Sequence, residues 1–141
     1  MHRLISRLVP IVAASLVLIM SGCGNSSNEA VVVTPPPTLT ETFSGTLTLN
    51  GATTFAFAVT GLGNITAQLT TLSPDSTKPV GVSLGTWNGS ICQIILRNDN
   101  SVQGSQVVGT ASAVGSFCVS IYDAAGTVVG PQAFTVEVFH L

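Results

Sequence analysis

The chain has 141 residues, which is enough for one domain, and charged side chains make up only 7% of it. Beyond the first 22 residues, Lys78 and Arg97 are the only strong bases and stand against six acids, a net charge of −4. A protein that binds nucleic acid needs a basic patch, so the composition excludes that class of partner. The hydrophobic fraction of 45% is large enough to fill a core, and we expect a folded domain.

The N-terminal segment has the order of a secretory leader that ends in a cysteine. Residues 1–7 are basic and carry no acid, and residues 8–20 form an apolar run. Such a run has the length of a secretory signal and falls short of the roughly 20 residues that span a bilayer. The small pair Ser21-Gly22 precedes Cys23, and this end of the segment resembles the lipobox of bacterial lipoproteins, with Met20 where the family usually has Leu.

The lipobox resemblance implies that residues 1–22 are a signal peptide and that Cys23 is acylated. Two or more acyl chains hold a protein stably in a bilayer, so the lipid bilayer is the first expected partner. Gly24 replaces the Asp that commonly retains such proteins at the inner membrane, and the family rule then favours the outer membrane of a Gram-negative bacterium. Secretion with cleavage elsewhere and an uncleaved anchor are the alternative interpretations.

The three cysteines fit the same interpretation. An odd count in an oxidising compartment leaves one thiol unexplained, and acylation of Cys23 leaves Cys92 and Cys118 to form a disulfide. Closing that loop stabilises a fold by roughly 3.5 kcal/mol in the chain-entropy model. Cys118 has the parity of Ser120 and Tyr122, which is opposite to that of the predicted core residues. The bridge therefore lies on the outer face of its sheet, or a bulge redirects it.

Residues 23–40 are the predicted tether between the lipid and the domain. The prolines at 35–37 favour extended polyproline II and stop any helix. An alternative for the valines at 31–33 is pairing with the edge of a sheet.

From Glu41 the pattern has a period of two residues, which is typical of half-buried strands. The first predicted strand, with Phe43 and Leu47 facing inward, ends at Asn50-Gly51, a strong hairpin signal. Two further strands follow, with Phe55 and Ile65 among their inward residues, and tight turns link all three. We therefore predict a meander or the start of a Greek key.

The remaining strands follow a break at Ser73-Pro74-Asp75. A second Asn-Gly pair, at 88–89, predicts a hairpin, and residues 98–100 predict a polar loop. The later predicted strands lie at 80–85, 92–97, 106–109, 115–122 and 133–139. The fold predicted for residues 41–141 is therefore all-β, an antiparallel, jelly-roll- or Greek-key-like β-sandwich of seven to eight strands. A sandwich is favoured over a barrel because the alternation supplies one packed face per sheet.

Residues 41–141 also resemble the bacterial pre-peptidase C-terminal domains. The resemblance is carried by short strand motifs at 43–47, 55–59, 115–123 and 134–138. It implies a jelly-roll-like sandwich that is usually appended to secreted enzymes and is not itself catalytic. The chain departs from the family in having no attached enzyme. Residues 81–84 also lack the acids often found at that strand, so no calcium site is carried over.

A search for reactive groups predicts no catalytic site, no metal site and no cofactor. Catalysis needs a base held against a nucleophile or a pair of carboxylates. The one histidine after the leader, His140, is next to the last residue, and we expect it to be solvated there. Asn98-Asp99-Asn100 offers oxygen ligands for calcium, but a turn built from Asx residues is the favoured interpretation.

Trp87 and Tyr122 are the candidate ligand contacts. They are the chain's only tryptophan and tyrosine, and both have the parity of the outward face. Exposed aromatic rings stack on sugars or anchor protein partners. The alternative is that they cover the sheet face or shield the disulfide.

These features predict a lipid-anchored protein outside the cytoplasm, with a non-catalytic binding or adhesion module for a glycan or a protein partner. The alternative function is a structural or accessory component of the cell envelope that acts by self-association or assembly. An enzyme is not expected, because no residues are grouped for catalysis.

Overall fold

A computed structural model describes residues 37–141, and the predicted leader, Cys23 and the valine triplet lie outside these residues. In the described part, the chain forms eight strands: β1 (Leu39–Leu47), β2 (Ala52–Val59), β3 (Gly63–Ser73), β4 (Val80–Trp87), β5 (Cys92–Ser101), β6 (Gln106–Ala111), β7 (Gly115–Tyr122) and β8 (Gln132–His140). Among these residues, no helix is long and apolar enough to cross a membrane.

The strands form two four-stranded antiparallel sheets. The first sheet has the order β1-β8-β3-β6, and the second sheet has the order β2-β7-β4-β5. Consecutive strands change sheet at every connection except β4–β5. This is the topology of a jelly roll, so the predicted all-β antiparallel sandwich is confirmed.

The first Asn-Gly pair forms a turn but not a hairpin. Asn50 has a φ of 53° and the N–H of Gly51 donates to the carbonyl of Thr48 at 2.8 Å. The turn nevertheless carries the chain from one sheet to the other, because β1 pairs with β8 and β2 pairs with β7. Phe43 and Phe55 stack across the core, with ring centroids 4.9 Å apart. The predicted meander of the first three strands is therefore wrong.

The second Asn-Gly pair does form the predicted hairpin, between β4 and β5. Gly89 has a φ of 100°, which suits glycine. The side-chain oxygen of Asn88 accepts hydrogen bonds from the N–H groups of Ser90 and Ile91 at 2.9 and 2.8 Å. The same dipeptide thus makes a hairpin only where the two flanking strands also pair with each other.

The inward residues of the period-two pattern form the core between the sheets. The buried set includes Phe57, Ile65, Leu69, Val119 and Ile121. A register shift between Leu69 and Thr71 reverses the parity of β3, and Leu72 is buried as a result.

His140 is buried, and the prediction of a solvated end is wrong. It is the last residue of β8, is 1% exposed, and packs its ring 5.3 Å from that of Phe57. Its Nε2 lies 3.0 Å from Oε1 of Glu41 on β1. The carbonyl of Leu141 accepts hydrogen bonds from the N–H groups of Thr60 and Gly61. These contacts hold this end of the chain in place.

Asp123 joins the turn after β1 to the loop after β7. Its carboxylate accepts hydrogen bonds from the N–H groups of Asn50, Thr127 and Val128 at 3.0, 3.0 and 3.2 Å. Its own N–H donates to the carbonyl of Gly51 at 2.9 Å. Burial alone would raise the pKa of Asp123, but the backbone N–H donors together hold that pKa below its ordinary value.

We expect Asp123→Asn to lower the free energy of unfolding by about 2–4 kcal/mol near neutral pH, because an amide cannot accept all of these bonds. A carboxyl with a lowered folded-state pKa stabilises the protein above the unfolded pKa of 3.8, and this contribution is lost as pH falls through the folded pKa. Urea unfolding at about pH 7 and about pH 3 should show a smaller difference between wild type and variant in acid. Glu137→Gln is the control, and an undiminished difference in acid would contradict the prediction.

Candidate functional site: a groove over the second sheet

A groove of about 520 Å³ lies on the outer face of the second sheet. This volume is within the range of small-ligand sites. All strands of the second sheet and the β4–β5 turn contribute to its lining: Ala52, Thr54, Trp87, Ser90, Ile91, Cys92, Ile94, Arg97, Ser120 and Tyr122. Trp87 and Tyr122, the two residues predicted as ligand contacts, are therefore brought to one groove.

Positions 81, 83 and 85 on the outer face of β4 are occupied by small residues, and this allows other parts of the sheet to cross over the strand. A Cβ atom at Gly81 would collide with the ring of Tyr122, and a Cβ atom at Gly85 would collide with the carbonyl oxygen of Gln93. Tyr122 therefore reaches from β7 across β4, and its hydroxyl donates a hydrogen bond to Oδ1 of Asp99 on β5.

The second crossing is the disulfide between Cys92 and Cys118, which confirms the predicted pairing. The two residues are 26 positions apart, and their Cα atoms are 5.8 Å apart, although β4 lies between β5 and β7 in the sheet. The register of β5 on β4 shifts between Leu84 and Gly85, next to the bridge, and Gly85 is the register partner of Cys118. The bridge therefore lies on the outer face, which is the first of the two predicted alternatives, and the register shift of β5 is beside it.

Ser83 lies between the two crossings. Its register partners are Ser120 on β7 and Arg97 on β5, so it shares the outward face with both. The Ser120 hydroxyl is hydrogen-bonded to that of Thr54 at 2.7 Å. Ser83 Oγ is buried and is the one such side-chain polar atom in residues 37–141 that has no hydrogen-bond partner. A buried hydroxyl without a partner costs about 1–3 kcal/mol. Ser83 lies beneath the crossings and is not one of the residues that line the groove.

At one end of the groove, two opposite charges cancel each other. Arg97 Nε lies 3.5 Å from Oδ2 of Asp99, and their side chains are 66% and 43% exposed. Burial, the hydrogen bond to Asp99 and the charge of Asp99 raise the pKa of Tyr122 to about 12, partly opposed by Arg97. Tyr122 is therefore uncharged at neutral pH, and Arg97 balances Asp99.

The other end of the groove is apolar. Trp87 is half-buried at the end of β4, and Ile91 and Ile94 beside it are 64% and 50% exposed. Sequence reasoning missed these isoleucines, Ser83 and Arg97. The pattern Gly-x-Ser-x-Gly at 81–85 could have indicated the crossings, because small residues at successive outward positions leave room above a strand.

Asn98-Asp99-Asn100 is part of β5, so the prediction of a loop there is wrong. The Asx-turn interpretation holds, because the side-chain oxygen of Asn98 accepts a hydrogen bond from the N–H of Asn100 at 3.1 Å. Asp99 is engaged by Tyr122 and Arg97. Within residues 37–141, no group of three or more His, Cys, Asp or Glu side chains is placed to hold a metal ion.

The titration of Tyr122 tests the geometry of the charged end. As the chain has one tyrosine, the absorbance of tyrosinate reports this side chain alone. We expect a midpoint near pH 12 in the wild type and a lower one in Asp99→Asn, which removes the negative charge but not the burial. Glu137→Gln on β8 is the control. The raised pKa also means that stability contributed by the neutral phenol is complete below pH 10 and is lost as pH rises towards about 12. Identical midpoints for wild type and Asp99→Asn would refute the contact.

Comparisons with known proteins bear on the fold. No family model matches the chain, and no curated protein matches it. The crystal structure of a mitogen derived from Yersinia pseudotuberculosis is similar with a TM-score of 0.56 and 16% identity, over 73% of this chain and 86% of that one. A periplasmic inhibitor of g-type lysozyme from Aeromonas hydrophila is similar with a TM-score of 0.50 and 15% identity, over 70% of this chain and 83% of that one. At these identities the likeness shows a shared β architecture.

Proposed function

We propose that this protein is a non-catalytic binding module that lies outside the cytoplasm and holds its ligand in the groove over the second sheet. The observation that carries the proposal is the construction of the groove. A disulfide and a tyrosine cross one strand, and a buried hydroxyl without a partner lies between them. A site of this kind, with an apolar wall and a few convergent polar groups, is typical of ligand binding.

The side chains around the groove support binding rather than catalysis. Hydroxyl groups line the groove, and the carboxylate of Asp99 next to it is engaged by Tyr122 and Arg97, but no base lies against a nucleophile there. His140, the histidine of the described residues, is bonded to Glu41 in the first sheet. The Aeromonas hydrophila neighbour is a periplasmic inhibitor of g-type lysozyme, and this supports the proposal of a binding module outside the cytoplasm.

The proposed location rests on Cys23 and on the disulfide. Structural disulfides persist in oxidising compartments outside the cytoplasm, and Cys92–Cys118 is such a bridge. The proposal includes acylation of Cys23, a tether over residues 23–40 and attachment to the outer membrane. It also includes kinship with the pre-peptidase C-terminal domains, which the jelly-roll topology supports.

We expect Cys23→Ser to lose both incorporation of a labelled fatty acid and association with the membrane fraction, because the anchor requires the thiol. The matched control is Ser27→Ala, which leaves the lipobox unchanged. Metabolic labelling and fractionation of cells that produce each form would measure both properties. The anchor is disproved if the wild type takes up no label and Cys23→Ser remains in the membrane fraction.

The groove itself is tested by filling it. Ala52 is exposed, lines the groove and is the register partner of Tyr122, so Ala52→Trp places a large side chain there without entering the core. Ala133→Trp is the matched control, because Ala133 is exposed on β8 in the first sheet. We expect Ala52→Trp to reduce retention of envelope glycans or proteins on the immobilised protein by at least about tenfold, with no effect of Ala133→Trp. Equal retention by both variants would exclude the groove. No retention by any form, wild type included, would favour a structural role.

A further inference from the structure

The groove offers hydrogen-bonding groups along its floor and one apolar wall. Thr54, Ser120 and Ser90 line it and each carries a hydroxyl. Trp87 stands at the apolar end. A sugar ring matches this division, because its edge carries hydroxyls that both donate and accept, while its faces present C–H groups to an aromatic ring.

The charges around the groove favour an uncharged ligand. Arg97 and Asp99 lie 3.5 Å apart and balance each other, and Tyr122 carries no charge at neutral pH. Elsewhere in residues 37–141, four acids stand against one base, Lys78. A phosphate-rich ligand would meet a neutral groove on an acidic domain, so electrostatic attraction would not hold it.

The apolar wall extends further than one sugar face requires. Ile91 and Ile94 also belong to it and are 64% and 50% exposed. An acetamido group fits such a wall, because its methyl group buries apolar surface while its N–H and C=O groups pair with polar side chains.

The competing occupant is a peptide strand added to the free edge of β5. The pairing of β5 with β4 has register shifts between Val80 and Val82 and between Leu84 and Gly85. Such bulges twist an edge strand and oppose regular pairing with another chain. The edge is therefore poorly shaped for strand addition, whereas the groove lies on the outer face between side chains of all four strands.

We propose that the groove binds a neutral glycan through an N-acetylated sugar unit, an inference that rests on the proposed function. The ring of this unit stacks on Trp87, its acetamido methyl group packs on Ile91 and Ile94, and its hydroxyls face the floor and Arg97. Three observations carry this proposal. Hydroxyl groups line the floor of the groove, the charges of Arg97 and Asp99 cancel at one end, and two isoleucines are exposed at the other end.

The test uses the fluorescence of the full-length protein in detergent, because Trp87 is its only tryptophan. The probe is a tetramer of β-1,4-linked N-acetylglucosamine, and the matched control is the glucose tetramer of the same linkage. We expect a saturable change of emission with the N-acetylated probe and at least about tenfold weaker binding of the glucose tetramer, which lacks the methyl group and the amide. No saturable change up to about 10 mM probe, or equal affinity for both tetramers, would overturn the inference.

Variants measured by calorimetry locate the binding. Trp87→Ala should weaken binding of the N-acetylated tetramer by about tenfold through the loss of stacking. Because Trp87 is half-buried, Ala52→Trp serves as a second, exposed variant, with Ala133→Trp as control. Unchanged affinity in Ala52→Trp would overturn the inference. If envelope proteins are retained through the groove while the sugar probe does not bind, the ligand class is wrong and the proposed function stands. If neither is retained by the wild type, both fail.

Discussion

The groove depends on one steric constraint, which is that Gly81 and Gly85 leave the outer face of β4 without side chains at two positions. Tyr122 occupies the space over Gly81, and the backbone of β5 closes on Gly85 beside the disulfide. Each crossing joins β7 to β5 over β4, so β7 and β5 are held together on the outer face of the sheet. A side chain at either glycine would collide with the group that lies over it, the ring of Tyr122 at Gly81 or the backbone of β5 at Gly85.

Local sequence patterns predicted the strands well because burial on one face imposes a period of two wherever a strand packs on a core. The pattern Phe55-x-Phe57-x-Val59 needed no knowledge of the partner strands. Which strands pair with each other could not be predicted from these local patterns. Asn50-Gly51 and Asn88-Gly89 carry the same turn signal, yet only the second makes a hairpin. The difference lies in β7 and β8, which are far along the chain and displace the local pairing. His140 was misjudged for the same reason, because β8 pairs with the whole length of β1.

The candidate site was predictable in part. The outward parity of Trp87 and Tyr122 followed from alternation alone, and both line the groove. The groove residues of β5 were not predictable in this way. The pairing of β5 with β4 has two register shifts, so alternation along β5 does not tell which face Arg97, Asp99 and Ile94 are on. Ser83 was missed because a serine between two glycines resembles an ordinary solvent-facing position until the crossings above it are known. Sequence reasoning therefore finds aromatic contacts on regular strands and misses polar groups that bulges and bridges bring together.

The pairing of β1 with β8 has a consequence for the order of folding. Within the described residues, β1 is an edge strand of the first sheet, held by β8, the last strand to be made. The first sheet cannot form completely until β8 has been synthesised, and folds dominated by such distant contacts form slowly. For a chain that is exported as proposed here, this delay leaves time for passage across the membrane in an unfolded form. The pairing of β1 with β8 would then complete the domain after export.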